Sequence, residues 1–200
     1  MKLQNFLDFG PCHTPGFTIF KDIKEIKPAH FLIFKESGIY MQRYWELKSK
    51  QHKDSFGKTC ETIRNLLEDS ISKQLVSDVP ICTMLSGGLD SSIITAYASN
   101  LNKNIEPLNT FSVDYVDNDK NFVKSDFQPN SDNYYISIMN EKFKTNHHKV
   151  IIDTPELESS LEEAMIARDM PGMADVDSSL LLFCKNISKE AKVAISRRMC

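Results

Sequence analysis

The stretch from Val79 to Ser92, Val-Pro-Ile-Cys-Thr-Met-Leu-Ser-Gly-Gly-Leu-Asp-Ser-Ser, restricts the fold more than any other part of the chain. Ile81 to Leu85 is a short apolar run of the kind buried in a parallel strand, and it passes directly into a turn of small residues carrying one carboxylate. Gly87 and Gly88 let the backbone approach an anion with no Cβ in between, and Ser91 to Ser99 can open a helix whose first N–H groups face the same spot. This predicts a strand feeding a phosphate-binding loop. Ser86, Ser91 and Ser92 supply hydroxyl donors, and Asp90 suits a magnesium ion bridging phosphate oxygens. Four or five charge-assisted hydrogen bonds, at roughly 1.5–3 kcal/mol each, would hold a polyphosphate firmly. The loop has no lysine, so it is not G-x-x-x-x-G-K-[ST], and neither G-x-G-x-x-G nor G-x-S-x-G occurs. On residue chemistry alone, a plain serine- and glycine-rich turn between strand and helix is the alternative.

The rest of the chain supplies the elements such a loop needs. His30 to Phe34 and Ile39 to Trp45 are β-rich runs joined by Lys35-Glu36-Ser37-Gly38, which predicts a hairpin. Lys48 to Lys53 is a polar linker and Asp54 a candidate N-cap. Phe56, Cys60, Ile63, Leu67, Ile71 and Leu75 recur at helical spacing, so residues 55–75 predict an amphipathic helix packed on the coming sheet. Leu108 to Tyr115 is a second strand. Val116 to Asn130 is a long acidic loop, either a lid or a solvated connector. It begins like a calcium loop, but Phe122 and Gln128 stand where glycine and glutamate are needed.

Asp132 can cap a helix to about Lys144, with Tyr135, Ile138, Met139 and Phe143 inward. His147 and His148 open a third strand, reaching Ile152, and must face opposite ways, so they cannot share a metal. Thr154-Pro155 starts a helix with Leu157, Leu161, Ala164 and Met165 on its apolar face. Met170-Pro171-Gly172 ends that helix, and a further helix, Ser178 to Lys189, leads to a fourth strand, Lys192 to Ile195. Strands alternating with helices predict a doubly wound α/β sheet, with ligand beyond the carboxyl ends of the strands, where Ser86 and Ser196 fall.

Composition excludes several classes. A formal charge of −3 gives no general electrostatic reason to expect nucleic acid or an anionic membrane as partner. Five cysteines, Cys12, Cys60, Cys82, Cys184 and Cys200, lack metal-type or C-x-x-C spacing and predict reduced thiols in a cytoplasmic protein. Lys2 to Phe9 is too short and too polar for a signal peptide, and no apolar run approaches ~18 residues.

Ser86-Gly87-Gly88-Leu89-Asp90-Ser91-Ser92 resembles the pyrophosphate loop, S-G-G-x-D-S-S, of ATP pyrophosphatases that adenylate a carboxylate or carbonyl. Val76-Ser77-Asp78-Val79-Pro80 is similar to the segment leading into this loop in glutamine-hydrolysing asparagine synthetases, and the resemblance runs from about Ile19 to Ser196. Phe20 to Phe34 with Arg43-Tyr44-Trp45, and Arg168 to Ser179, carry it most specifically. The resemblance implies an adenine-nucleotide α-hydrolase-like fold and binding of ATP and Mg2+. It implies that Ser86, Gly87, Gly88, Asp90, Ser91 and Ser92 hold pyrophosphate and magnesium, with Asp90 on the metal. Leu85, Val113 and Ser196 are its candidates for the nucleoside, Val113 through a strand similar to the family's T-F-S-V.

The implied reaction is attack by the aspartate carboxylate on the α phosphate, giving β-aspartyl-AMP and pyrophosphate. Ammonia, normally from glutamine, then displaces AMP. No covalent nucleophile is needed. Asp175 and Asp177 either cap the following helix, the favoured reading for aspartate at such a place, or shape the aspartate and ammonia site.

The resemblance also implies domain limits. Residues 1–53 read as remnant and linker of a glutaminase domain, and 54–200 as an incomplete synthetase domain. The glutaminase nucleophile is an N-terminal cysteine, and Lys2 follows Met1 here, so glutamine hydrolysis is not expected of this chain. A separate glutaminase chain or a homodimer is the expected partner for the hairpin's unpaired edges. Ile26-Lys27-Pro28-Ala29-His30 departs from the family's I-x-P-G-H at Ala29. After Ser196 the family continues S-G-E-x-A/S-D-E, whereas this chain reads Arg197-Arg198-Met199-Cys200. One inserted base converts codons for Ser-Gly-Glu-Cys-Ala into Ser-Arg-Arg-Met-Cys, so a shifted frame and a truncated domain are expected, with a natural terminus as the alternative. Two further readings remain at this level: a related ligase with another carboxylate substrate, and a non-catalytic nucleotide-binding remnant.

Overall fold

The structure, a computed structural model, describes residue 10 and residues 14–18, 20–102, 106–124, 126 and 130–196. The expectations for Lys2 to Phe9, Cys12, residues 103–105, Gln128 and Arg197 to Cys200 lie outside the described residues. Contacts divide the chain into two units, residues 1–53 with 162–174, and residues 54–161 with 175–200.

The first unit holds an antiparallel hairpin of β1 (His30–Lys35) and β2 (Gly38–Arg43), in register from His30 opposite Arg43 to Lys35 opposite Gly38. It is entered through a turn at Lys27-Pro28-Ala29-His30, where the His30 N–H donates to the Lys27 carbonyl at 3.1 Å. Ala29 sits at φ +59°, the left-handed region that glycine occupies without steric cost. The turn expected for a glycine therefore forms around an alanine.

The second unit is built on a four-stranded parallel sheet in the order β5 (Asn146–Ile152), β4 (Asn109–Tyr115), β3 (Ile81–Met84), β6 (Val193–Ile195). The direction of winding reverses between β4 and β6, on either side of β3, which makes β3 the switch point of a doubly wound α/β sheet. Its two faces differ. Cys82, Met84, Phe111, Val150 and Ala194 pack with Phe183, Ile187 and Ala191 at the α7 side (α7, Ala174–Glu190). The opposite face carries Thr83, Thr110, Ser112 and Asp114, all buried. There Thr83 Oγ1 lies 3.0 Å from Thr95 Oγ1 of α2 (Leu89–Leu101), and His147 joins Thr110 through Nδ1 at 2.9 Å and Ser112 through Nε2 at 3.0 Å.

Several local expectations are corrected. α1 spans Phe56–Gln74 and is capped by Ser55 instead of Asp54, with the Lys58 N–H donating to Ser55 Oγ at 3.3 Å. Its apolar face is mostly open: Ile71 is buried, but Phe56 is 86% exposed and Ile63 51%. Periodicity fixes which residues share a face, whereas burial needs a partner, and among the described elements α2 is the helix packed on α1. The long loop contains a one-turn helix, α3 (Asn118–Asn121).

α4 (Asp132–Phe143) is capped at Ser131 and turns Ile136 inward, while Tyr135 and Ile138 stay exposed. The helix after β5 is two helices, α5 (Thr154–Ser159) and α6 (Leu161–Arg168). Asp153, not Thr154, caps α5, in a capping box with Glu156. Leu161 and Met165 are exposed, and α6 stops at Asp169, whose φ of +60° breaks the helical path. α7 begins four residues before Ser178, so Asp175 and Asp177 occupy its first turn instead of its cap. Their carboxylates there oppose the positive end of the helix dipole.

Candidate functional site

The loop expected to bind phosphate is shaped by three local constraints. Leu85 leaves β3 with its N–H donating to the Phe111 carbonyl at 2.7 Å, so the loop starts from a fixed strand end. Gly87 adopts φ +78°, and a Cβ there would stand 2.7 Å from the Asp132 carbonyl oxygen. Only glycine fits both the angle and the space. Gly88, at φ −71° and ψ 160°, is the N-cap of α2 and has no side chain to offer the first-turn amides. The helix therefore presents its positive end to whatever lies over the loop.

The serines divide their work. Ser91 Oγ donates to the Gly88 carbonyl at 3.0 Å and accepts from the Ser86 N–H at 3.2 Å. Since the Ser91 proton goes to Gly88, the Ser86 hydroxyl donates to Ser91 Oγ across 3.1 Å. Ser91 is thus an internal staple of the loop. The Ser92 N–H donates to the Gly88 carbonyl at 3.1 Å and closes the first helical turn. Asp90 lies in that first turn.

Beyond the carboxyl ends of β3 and β4 opens a cleft of about 230 Å³, walled by Leu85, Ser86 and Val113 among others. Gly87 and Gly88 before α2, and Asp90, Ser91 and Ser92 in its first turn, lie outside that wall. Ser196 follows β6, whose Ile195 pairs with Thr83, so it too leaves the sheet at the carboxyl end, though it does not line the cleft. The predicted residues therefore gather at one edge of one sheet.

The sequence reading missed Asp114, Asn118 and Asn133, which line the same cleft. Asp114 is buried beside Val113 and is ion-paired with Lys149 at 2.6 Å. Burial alone would raise its pKa, but hydrogen bonds from Lys149, Asn133, the Tyr115 N–H and Asn118 outweigh it and hold the carboxyl at about 2. The signal was present: Thr110, Ser112 and Asp114 alternate as polar residues on one strand face, and aspartate is depleted in strands unless something holds it.

His147 is held below its ordinary value near 6.5 by burial first, then by His148 and Lys149. Among the described residues no group of three or more His, Cys, Asp or Glu is placed to hold a metal ion. No helix among them is long and apolar enough to cross a membrane.

The sequence model of the asparagine synthase family matches residues 62–196, from α1 to the end of β6. The chain belongs to the asparagine synthase family. It is 51% identical over 196 residues to the glutamine-hydrolysing asparagine synthetase 3 of Bacillus subtilis, a match covering 97% of this chain and 32% of that protein. Glutamine-hydrolysing asparagine synthetase 1 of the same organism is 30% identical over 114 residues, 56% of this chain and 17% of the relative. The chain thus spans about a third of the length of the first of these family members. Among solved structures, an NH3-dependent NAD synthetase from Campylobacter jejuni aligns over 69% of this chain and 56% of its own, with 14% identity and a TM-score of 0.41.

Proposed function

We propose that this chain carries the ATP-binding part of an asparagine synthetase, which activates the side-chain carboxylate of aspartate as an adenylate. What carries this reading is Gly87, a glycine that both its φ and its contact with Asp132 require, placed between a strand end and a helix whose cap has no side chain. Such a loop brings backbone N–H groups and a helix N-terminus to bear on phosphate oxygens. The cleft beside it is smaller than the ~300–1,000 Å³ of a complete small-ligand pocket. It therefore suits the nucleoside, against Leu85 and Val113, with Ser196 outside its wall at the end of β6 as the remaining nucleoside candidate, while the triphosphate runs along the exposed loop over Ser86, Gly87, Gly88, Asp90, Ser91 and Ser92.

Magnesium fits this arrangement, because it is held by one or two carboxylates together with substrate phosphates instead of a full protein cage. Asp90, in the first turn of α2, is the carboxylate that would hold it, and the bound ion would neutralise charge on the phosphate oxygens. The protein's own contribution is positioning and fixed dipoles. The aspartate carboxylate attacks the α phosphorus, the bond to the β,γ-pyrophosphate breaks, and β-aspartyl-AMP forms. Ammonia derived from glutamine then displaces AMP to give asparagine. Residues 1–53 are read as the closing part of a glutaminase domain and 54–200 as the synthetase part, in a cytoplasmic protein working with a glutaminase or as a homodimer.

Calorimetry with MgATP, on the wild type and Asp90→Ala, tests the site. The substitution is expected to weaken binding by about tenfold, the equivalent of one lost charge-assisted contact. Aspartate-dependent exchange of labelled pyrophosphate into ATP tests the acceptor. Wild-type binding that Asp90→Ala leaves unaltered overturns the assignment of the loop, and exchange stimulated by another carboxylic acid but not by aspartate overturns the substrate.

A further inference from the structure

We propose that Asp114 is a positioning residue for the nucleotide site. Its carboxylate clamps the two segments that wall the cleft, α3 through Asn118 and the start of α4 through Asn133, and α4 in turn seats Gly87. This inference rests on the ATP-site reading. Four donors reach the carboxylate, two to each oxygen. Oδ1 accepts from the Tyr115 N–H at 2.9 Å and from Asn118 Nδ2 at 2.7 Å, and Oδ2 accepts from Asn133 Nδ2 at 2.9 Å and from Lys149 Nζ at 2.6 Å. An ionised carboxylate has about four lone-pair sites, so this one is saturated by the protein itself. With its pKa near 2 it also stays ionised and takes up no proton at neutral pH. Geometry is the task left to it.

The clamp sits where the chain most needs one. Asp114 lies one residue beyond Val113 at the carboxyl end of β4, and the chain then leaves the sheet through α3 and the long connection that returns at α4. Long connections are costly to hold in one conformation, and Asp114 ties down both ends of this one. The two ends bear on different parts of the site. Asn118 walls the nucleoside cleft. Asn133 also walls it, but its neighbour Asp132 supplies the carbonyl against which Gly87 packs, 2.7 Å from where a Cβ would stand. Releasing α3 therefore disturbs the nucleoside end alone, and releasing the start of α4 disturbs the phosphate loop as well.

The experiment uses the full chain with Asn118→Ala, Asn133→Ala and Lys149→Ala, and reads AMP binding, magnesium pyrophosphate binding and thermal stability. One lost buried hydrogen bond corresponds to about tenfold in affinity. Asn118→Ala is expected to weaken AMP by that factor and leave pyrophosphate within about twofold, whereas Asn133→Ala weakens both by about tenfold. Lys149→Ala removes a donor from Asp114 without touching either wall, so it lowers the melting temperature and leaves both affinities within about twofold. Should Asn133→Ala fail to fold, Asn133→Ser carries the same comparison. Affinities that follow the melting temperature across all variants, or wild-type affinities in both asparagine variants, overturn the positioning role while leaving the ATP site standing. A wild-type chain that binds neither AMP nor pyrophosphate overturns the ATP-site reading itself.

Discussion

Gly87 is the residue at which backbone geometry and packing coincide. An L side chain at φ +78° costs about 1–2 kcal/mol, and a Cβ 2.7 Å from the Asp132 oxygen adds an overpacking cost of about 1–3 kcal/mol. Gly87→Ala is therefore expected to destabilise the second unit by about 2–5 kcal/mol in urea denaturation. A change below about 0.5 kcal/mol would mean that the loop relaxes around the methyl group. Ala29 is the opposite case. It occupies a left-handed position that glycine takes freely, so Ala29→Gly relieves about 1–2 kcal/mol of strain and gives back about 0.5–1 kcal/mol in chain entropy. The hairpin unit should become slightly more stable, by at most about 1.5 kcal/mol. Chemical denaturation followed by Trp45 fluorescence is the measurement, and a loss of stability would refute the strain.

His147 gives a pH dependence whose sign is fixed. Its folded pKa lies below 6.5, so between those two values the unfolded chain binds the extra proton and stability rises with pH. The contribution is fully present above about 6.5 and is lost as pH falls from there toward the lowered folded value. Denaturation midpoints between pH 5 and 8 should fall on the acid side in the wild type and flatten in His147→Gln. An unchanged slope in the variant would assign the effect to other groups.

At the scale of elements, the join between β3 and α2 is the most informative. Thr83 and Thr95 are fully buried and bonded to each other, one from the strand before the loop and one from the helix after it. Thr95→Val leaves the Thr83 hydroxyl unsatisfied, and a loss of about 1–3 kcal/mol is expected. The double change Thr83→Val with Thr95→Val removes both partners and should recover most of that loss. A double-mutant cycle decides it, since additive losses would show that the hydroxyl pair does not act as one.

These elements also show what could be read from the sequence alone. The strand, loop and helix around Gly87 were legible because small residues at fixed places have few other uses, and the order of strands and helices followed from apolar periodicity. The caps were misplaced by one residue because Asp54-Ser55 and Asp153-Thr154 each offer two adjacent cap-forming side chains. Local geometry, not composition, chose between them. The exposed face of α1 was illegible for another reason, since its period is real while its cover depends on what packs against it. The polar layer was illegible because Thr83 and Thr110 are polar by type yet fully buried in the fold, with His147 half-buried beside them.

At the scale of the whole molecule, the two units meet water differently. The second unit has a cluster of buried apolar residues, whereas the hairpin of the first exposes apolar side chains on both faces. Phe34 and Ile39, cross-strand partners in β1 and β2, are 78% and 64% exposed. A two-stranded hairpin with open edges and apolar faces tends to associate. Concentration-dependent association is expected for the 200-residue chain in sedimentation velocity, reduced by Phe34→Lys with Ile39→Glu. A chain that stays monomeric at high concentration would show that the exposed pair is inert.

The unlike faces of the parallel sheet carry a consequence for how it assembles. A strand shifted by one residue turns every side chain over. Such a slip in β4 would drive Thr110 and Ser112 into the layer of Phe183 and Ile187, and would press Phe111 among the hydroxyls around His147. Either half of the error strands polar groups without partners. The sheet thus proofreads its own alignment, and correct strand pairing is checked twice, once by oil and once by hydrogen bonds.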